Sequence, residues 1–157
     1  MESNTNYDST ADTLTHIRNV QGKLNAVAIE LTIRGEEHDE SKLLPPEKAI
    51  FDEYTPKLKN STYGSDEYKE FLSGMGEALK HHYENNRHHP EHFLNGINGM
   101  TLIDLIEMFC DWKCASERHA DGDIYKSIEI NSKRFNLDEQ LKKILINTAE
   151  QLFKKAS

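Results

Sequence analysis

Apolar residues near the start of the chain recur every three or four positions, and this spacing strongly constrains the fold. The residues of this stripe are Leu14, Ile17, Val20, Leu24, Val27 and Leu31. Such a period is typical of an amphipathic helix, because 3.6 residues complete one helical turn. We therefore predict a helix from about Thr10 to Gly35, where a glycine is a plausible helix end.

Similar patterns along the rest of the chain predict further helices. They cover residues 47–59, 65–79, 101–119, 124–135 and 137–154. No stretch has a convincing strand pattern. The sequence therefore predicts an all-α fold, a compact bundle of about six to seven helices. We expect a single domain over residues 10–157 after a flexible N-terminus at residues 1–9.

The composition restricts the partners of the chain. Its 157 residues carry a formal net charge of −8, which argues against duplex nucleic acid as a partner, because that affinity depends on Lys and Arg. No apolar run approaches the roughly 20 residues that span a bilayer, and residues 1–12 lack the order of a signal peptide. We expect a cytoplasmic protein without a membrane partner, for which an oligomer is possible.

Five of the eight histidines fall within residues 81–92. Imidazole is the commonest protein metal ligand and titrates near neutrality, so this cluster could bind metal, transfer protons or bind phosphate. The alternative is a solvated polar loop. Residues 85–100 contain two Asn-Gly turn signals and predict an irregular loop. His38 and Asp39 are a second pair whose ligand types suit divalent metals, although a solvated turn would also contain them.

Two aspartates lie in the predicted helix that begins near Thr101. Asp111 stands in its most apolar part, where a carboxylate is costly to bury unless it is paired or bound to metal. We therefore expect a buried partner for Asp111 from elsewhere in the chain, such as a histidine. Asp104 fits the acid of a capping box with Thr101, and we favour that role over a catalytic one.

In this order the motifs resemble the HD superfamily of metal-dependent phosphohydrolases, which are all-α proteins. The motifs are His38-Asp39-Glu40-Ser41-Lys42, Asn86-Arg87-His88-His89 and Met108-Phe109-Cys110-Asp111-Trp112. The chain looks closest to a small family of phage and bacterial proteins that combine these three motifs. If the protein is phage-encoded, its expected compartment is the host cytoplasm.

The resemblance implies a site for one or two divalent metal ions, drawn from Mn, Fe, Co, Ni, Zn and Mg. The implied ligands are His38, Asp39, His81, His82, Asp111 and, as the first histidine of the superfamily, His16. Helix geometry opposes His16, because about 1.5 Å per residue on a straight helix separates it from His38 by about 30 Å. A bend near Gly22 would bring the two closer.

The resemblance also implies an activity, namely a phosphohydrolase or phosphodiesterase that uses metal-activated water on a nucleotide or cyclic nucleotide second messenger. The implied catalytic residues are Asp39, Lys42 and Asp111. The implied contacts to the phosphate ester are Lys42, Asn85, Asn86, Arg87, His88 and His89. The alternative function is a non-catalytic module of the same fold that binds a nucleotide or a protein.

Overall fold

The computed structural model describes residues 7–62, 65–118 and 122–153. These residues form seven α-helices and three short 3-10 turns, and no strand occurs within them. The helices are α1 (Thr10–Glu37), α2 (Glu47–Asn60), α3 (Asp66–Gly74), α4 (Gly76–Asn85), α5 (Leu102–Ser116), α6 (Ile124–Arg134) and α7 (Glu139–Phe153). The prediction of an all-α fold with six to seven helices is confirmed.

The chain divides into two compact units, the first ending at Glu36 and the second beginning at Glu37. Helix α1 is continuous over 28 residues and passes through both Gly22 and Gly35 without a break. The expected N-terminal segment is described only at residues 7–9, and the single-domain assignment stays a prediction. No helix in the described ranges has the length and apolar character needed to cross a membrane.

Helices α5, α6 and α7 form an apolar core in the second unit. Each has apolar residues at helical spacing, so one face of each helix can be withdrawn from water. The buried members of this core are Met108, Phe109, Trp112, Ile124, Ile128, Leu145 and Ala149. The apolar surroundings of Asp111 in the sequence are therefore explained, because its helix packs its other face into this core.

The predicted helix over residues 65–79 is wrong in one respect, because the structure divides it into α3 and α4. Ser65 caps α3 by accepting a hydrogen bond from the backbone N–H of Tyr68. The break falls between Gly74 and Gly76, both poor helix formers. A Cβ at Gly74 would also collide with the ring of Tyr54, so the close packing of α2 on this break requires glycine.

The segment between α4 and α5 is irregular, as predicted, but contains two 3-10 turns. These turns span Pro90–His92 and Gly96–Gly99. Thr101 then caps α5 in a complete capping box, in which its side chain accepts from the N–H of Asp104 and the Asp104 carboxylate accepts from the N–H of Thr101. The predicted role of Asp104 as the capping acid is confirmed.

Candidate metal centre

Three segments of the second unit bring their polar side chains together. The first is the turn at residues 38–39, the second runs from the end of α4 into the following loop, and the third is the face of α5 that carries Glu107 and Asp111. In the turn, the backbone of Asp39 has φ 62°, a left-handed conformation that aspartate tolerates better than most residues. On α5, residues four apart share one face, so both of its carboxylates point the same way.

Four of these side chains form a group whose potential ligand atoms all lie within 4.8 Å of one another. They are Asp39, His82, His88 and His89. The Nε2 atom of His82 lies 2.9 Å from Nε2 of His89 and 3.3 Å from Oδ1 of Asp39. Nε2 of His88 lies 3.6 Å from the same Oδ1. Ligands of one ion at bond lengths near 2.0–2.2 Å stand about 2.8–3.6 Å apart, so the separations fit a shared metal.

Two atoms of this group are buried without a hydrogen-bond partner in the described part of the chain. They are Oδ1 of Asp39 and Nε2 of His88. A buried polar atom without a partner carries a desolvation cost, so such atoms call for a specific explanation. A cation between them would satisfy both at once, and the donor set of nitrogen and carboxylate oxygen fits a divalent metal.

A second group joins His38, His88 and Glu107. Oε1 of Glu107 lies 2.9 Å from Nδ1 of His38 and 3.1 Å from Nδ1 of His88. The other ring nitrogen of His38 faces carboxylates as well, with Nε2 3.5 Å from Oδ2 of Asp39 and 3.8 Å from Oδ1 of Asp111. The expected histidine partner of Asp111 is therefore His38.

The acids around His38 make this side of the site electronegative. The nearby Asp111 carboxylate and then the hydrogen bond to Glu107 raise the pKa of His38 to about 10, against the opposing effect of burial. Burial acts to raise the pKa of the Asp111 carboxyl, but the adjacent His38 ring, together with the neighbouring His88 and Lys42, leaves it below its ordinary value. Positive charge is therefore stabilised here.

The histidines on the other side of the site are held neutral. Burial, followed by the closeness of the His88 and His82 rings, lowers the pKa of His89 to about 2. Burial and then the charge of Lys42 also lower the pKa of His82. A neutral imidazole has a free lone pair on one nitrogen, which is the form that binds metal.

Lys42 places a cation at the edge of the group. Its Nζ lies 2.6 Å from Oδ2 of Asp39 and 5.1 Å from the centre of the Phe51 ring, and its side chain is 29% exposed. The 3-10 turn Glu40–Leu43 positions it, because it begins directly after Asp39. This arrangement leaves an ammonium group within reach of both the carboxylate and solvent.

A model of a family of unknown function, DUF5662, matches residues 5–151. The chain belongs to the DUF5662 family. No curated protein and no solved structure matches the chain. The description of the family assigns no activity, so any function for this DUF5662 protein has to be argued from the site itself.

Some residues that the resemblance assigns to substrate binding are potential metal ligands in this DUF5662 structure, whereas others have structural partners. His88 and His89 lie among the potential metal ligands. Arg87 makes a bidentate pair with Asp104, with Nε 3.1 Å from Oδ1 and Nη2 3.0 Å from Oδ2. The pair supports the start of α5, and the predicted substrate contact of Arg87 stays a prediction.

The two predicted asparagine contacts also have structural partners. The side-chain N–H groups of Asn86 donate to Oγ of Ser41 and to the carbonyl of His82, each at 2.8 Å. The side chain of Asn85 donates to the carbonyl of His81 at 2.8 Å. Asn86 is buried and joins the motif at residues 38–42 to α4, whereas Asn85 is exposed.

Three of the predicted ligands, namely Asp111, His81 and His16, lie outside both groups, although Asp111 lies 3.8 Å from Nε2 of His38. His81 neighbours His82, but its Nδ1 lies 2.8 Å from Oε1 of Glu47. His16 lies on α1 in the first unit, and neither group of described residues includes it. Its role as a ligand stays a prediction, as does that of His81.

The sequence motifs indicated neither Glu47 nor Glu107. Glu47 is fully buried at the first position of α2, where an acid usually has only a helix-dipole role. Its neighbours give no signal of the histidines that approach it. Glu107 shares the stripe of Asp104 and Asp111 at spacings of three and four, and this spacing was a usable signal.

Proposed function

We propose that this DUF5662 protein is a metal-dependent phosphohydrolase or phosphodiesterase whose substrate is a nucleotide or a cyclic nucleotide. The observation that carries the proposal is the buried pair of Oδ1 of Asp39 and Nε2 of His88, which have no hydrogen-bond partner within the described residues. They lie in a group of four potential ligands. The order of these residues along the chain, and its resemblance to the HD superfamily, supports phosphate-ester chemistry.

The residues that would hold metal come from all three segments of the site. They are His38, Asp39, His82, His88, His89 and Asp111. Mixed imidazole and carboxylate ligands suit Mn, Fe, Co, Ni or Zn better than Mg, which prefers oxygen. When bound, a divalent metal supplies Lewis acidity toward a phosphoryl oxygen and lowers the pKa of a water molecule.

The Asp39 carboxylate connects the two sides of the site. Its Oδ1 faces His82 and His88, whereas its Oδ2 faces His38 and Lys42. A carboxylate with its two oxygens directed to separate donor sets can serve one ion or join two. Loss of Asp39 therefore removes an anionic donor from both sides.

Lys42 is the residue of the site best placed to hold a phosphate group. Its ammonium is partly exposed and is already balanced by Asp39 in the absence of substrate. A phosphate oxygen offers a charge-assisted hydrogen bond of the same kind. A phosphate ester bound to Lys42 would have its phosphorus beside the potential metal ligands. The Phe51 ring would remain in contact with the lysine ammonium.

The test combines elemental analysis of untagged protein with phosphate and nucleoside release from mono-, di- and cyclic nucleotides. Asp39→Asn is the informative variant, because asparagine keeps the shape and also tolerates a positive φ. Asp52→Asn is the matched control, since Asp52 is an exposed acid on α2 that pairs with Lys48. We expect stoichiometric metal and turnover in the wild type and in Asp52→Asn, and a loss of both by at least tenfold in Asp39→Asn.

Wild-type protein that contains no transition metal and takes up none would overturn the proposal. Bound metal together with a nucleotide that stays intact through prolonged incubation would instead favour the non-catalytic binding module. Equal turnover in Asp39→Asn and Asp52→Asn would place the activity outside this group of residues.

A further inference from the structure

Two buried glutamates stand behind the histidines of the candidate centre, each in contact with two rings. Oε1 and Oε2 of Glu47 lie 2.8 and 2.9 Å from Nδ1 of His81 and of His82. Oε1 of Glu107 lies 2.9 and 3.1 Å from Nδ1 of His38 and of His88. Glu47 is fully buried and the side chain of Glu107 is 9% exposed, so solvent replaces neither contact readily.

We propose that Glu47 and Glu107 are the positioning residues of the metal centre. Each carboxylate accepts the Nδ1–H of its histidines and thereby leaves Nε2 of His38, His82 and His88 as the metal-binding atom. This inference rests on the metal centre of the proposed function and is independent of its hydrolytic activity. It also assigns Glu107 a place behind the ligands, although its distances from His38 and His88 alone would allow it to bind metal.

The tautomer of His82 follows from the hydrogen-bonding capacity of its neighbours. An ionised carboxylate can only accept, so Nδ1 of His82 donates to Oε2 of Glu47. The two amide hydrogens of Asn86 are directed to Ser41 and to the His82 carbonyl, which leaves the ring nitrogen free to donate. Nε2 then carries the lone pair, and this atom faces Asp39.

The Nε2 atom of His88, which has no hydrogen-bond partner among the described residues, indicates whether Glu107 binds the metal itself or accepts a hydrogen bond from a ligand. If Nδ1 of His88 bound a metal beside Glu107, Nε2 would carry the proton and would need a buried acceptor. Asp39 Oδ1 lies 3.6 Å away, which is too far for a hydrogen bond, and no partner occurs among the described residues. With the proton on Nδ1 and directed to Glu107, Nε2 is a bare lone pair in the group of ligands.

Carboxylates that accept from metal-bound histidines fix ring orientation and raise ligand basicity, and their loss costs about 10- to 100-fold in metal affinity. The experiment titrates Zn²⁺ into metal-free wild type, Glu47→Met, Glu107→Met and Glu107→Gln. Methionine fills a similar volume without an acceptor, whereas glutamine retains one acceptor oxygen. Glu84→Gln is the control, because Glu84 is an exposed acid on α4. We expect a 10- to 100-fold weaker Kd in both methionine variants, partial recovery in Glu107→Gln and no change in Glu84→Gln.

A second readout uses only wild-type protein and therefore does not depend on how the variants fold. Long-range ¹H–¹⁵N spectra of the histidine rings in the Zn²⁺ complex report which nitrogen carries the proton. We expect the proton on Nδ1 of His38, His82 and His88. A proton on Nε2 of His38 or His88, or wild-type Zn²⁺ affinity in both methionine variants, overturns the inference while leaving the proposed function intact. Tight Zn²⁺ binding without hydrolysis would instead overturn the proposed function and leave this inference intact. A wild type that binds no Zn²⁺ would overturn both the inference and the proposed function.

Discussion

Arg87 illustrates how a residue in a substrate-like motif can have a structural task. Its guanidinium forms a fork with Asp104, whose side chain is fully buried and also accepts from Thr101. Arg87 further packs over the Phe93 ring, 4.9 Å from its centre. Loss of this partner would leave a buried carboxylate with one fewer source of positive charge, which is costly in a protein interior.

The first prediction concerns this pair. Arg87→Ala should lower the free energy of unfolding by about 1–3 kcal/mol, because a hydrogen-bonded ionic partner of a buried acid is removed. Arg87→Lys should recover only part of that loss, since lysine lacks the planar fork. Urea denaturation of the metal-free proteins measures both effects. Unchanged stability together with a raised KM for nucleotide would instead support the substrate contact implied by the resemblance.

The site was predictable at single residues whose chemistry is unusual for their surroundings. Asp111 was such a residue, because a carboxylate within an apolar helix requires a partner, and the structure gives it His38. The position of His88 and His89 among the potential metal ligands was less accessible from the sequence. Whether a loop histidine faces metal or substrate depends on how the loop returns to α4, and no local pattern encodes this path.

At the scale of the helix, α5 connects the core to the candidate centre. One face of α5 carries Phe109 and Trp112 into the apolar core, while Glu107 and Asp111 face the histidines. Its N-terminus is fixed by the capping box at Thr101. A shift of this helix would therefore move two carboxylates of the site together.

The second prediction tests that cap. Thr101→Ala should lower the free energy of unfolding by about 1 kcal/mol, because the backbone N–H of Asp104 loses its acceptor and the Asp104 carboxylate loses one of its donors. Thr55→Ala is the control, since Thr55 is exposed on α2 and surface changes usually stay within about 0.5 kcal/mol. Thermal unfolding followed by circular dichroism measures both. Equal Tm values for the two variants would show that the box contributes little.

Helix positions were predictable because the apolar spacing of each segment is local information. The pattern gave α1, α2, α6 and α7 to within a few residues, and a side-chain cap marked the start of α5. The break between α3 and α4 was not predicted. Gly74 and Gly76 weaken a helix locally, but the packing of the Tyr54 ring against Gly74 is a contact between separate helices that no local pattern encodes.

For the whole molecule, the fold class follows from periodicity, whereas the candidate centre depends on tertiary structure. Its histidines and acids come from residues 38–39, 82–89 and 107–111, with Glu47 between the first two. Motif order indicated most of these side chains without the contacts among them. Glu47 became visible only when the segments were brought together, because an acid at a helix start is ordinary in sequence.

The central claim is that Asp39, His82, His88 and His89 share a metal ion, and anomalous scattering from crystals grown with Mn²⁺ or Zn²⁺ tests it most directly. We predict an anomalous peak within bonding distance of the Asp39 carboxylate and of Nε2 of His82 and His88, absent from crystals of Asp39→Asn. Strong peaks found only at exposed carboxylates, with none between these residues, would contradict the claim.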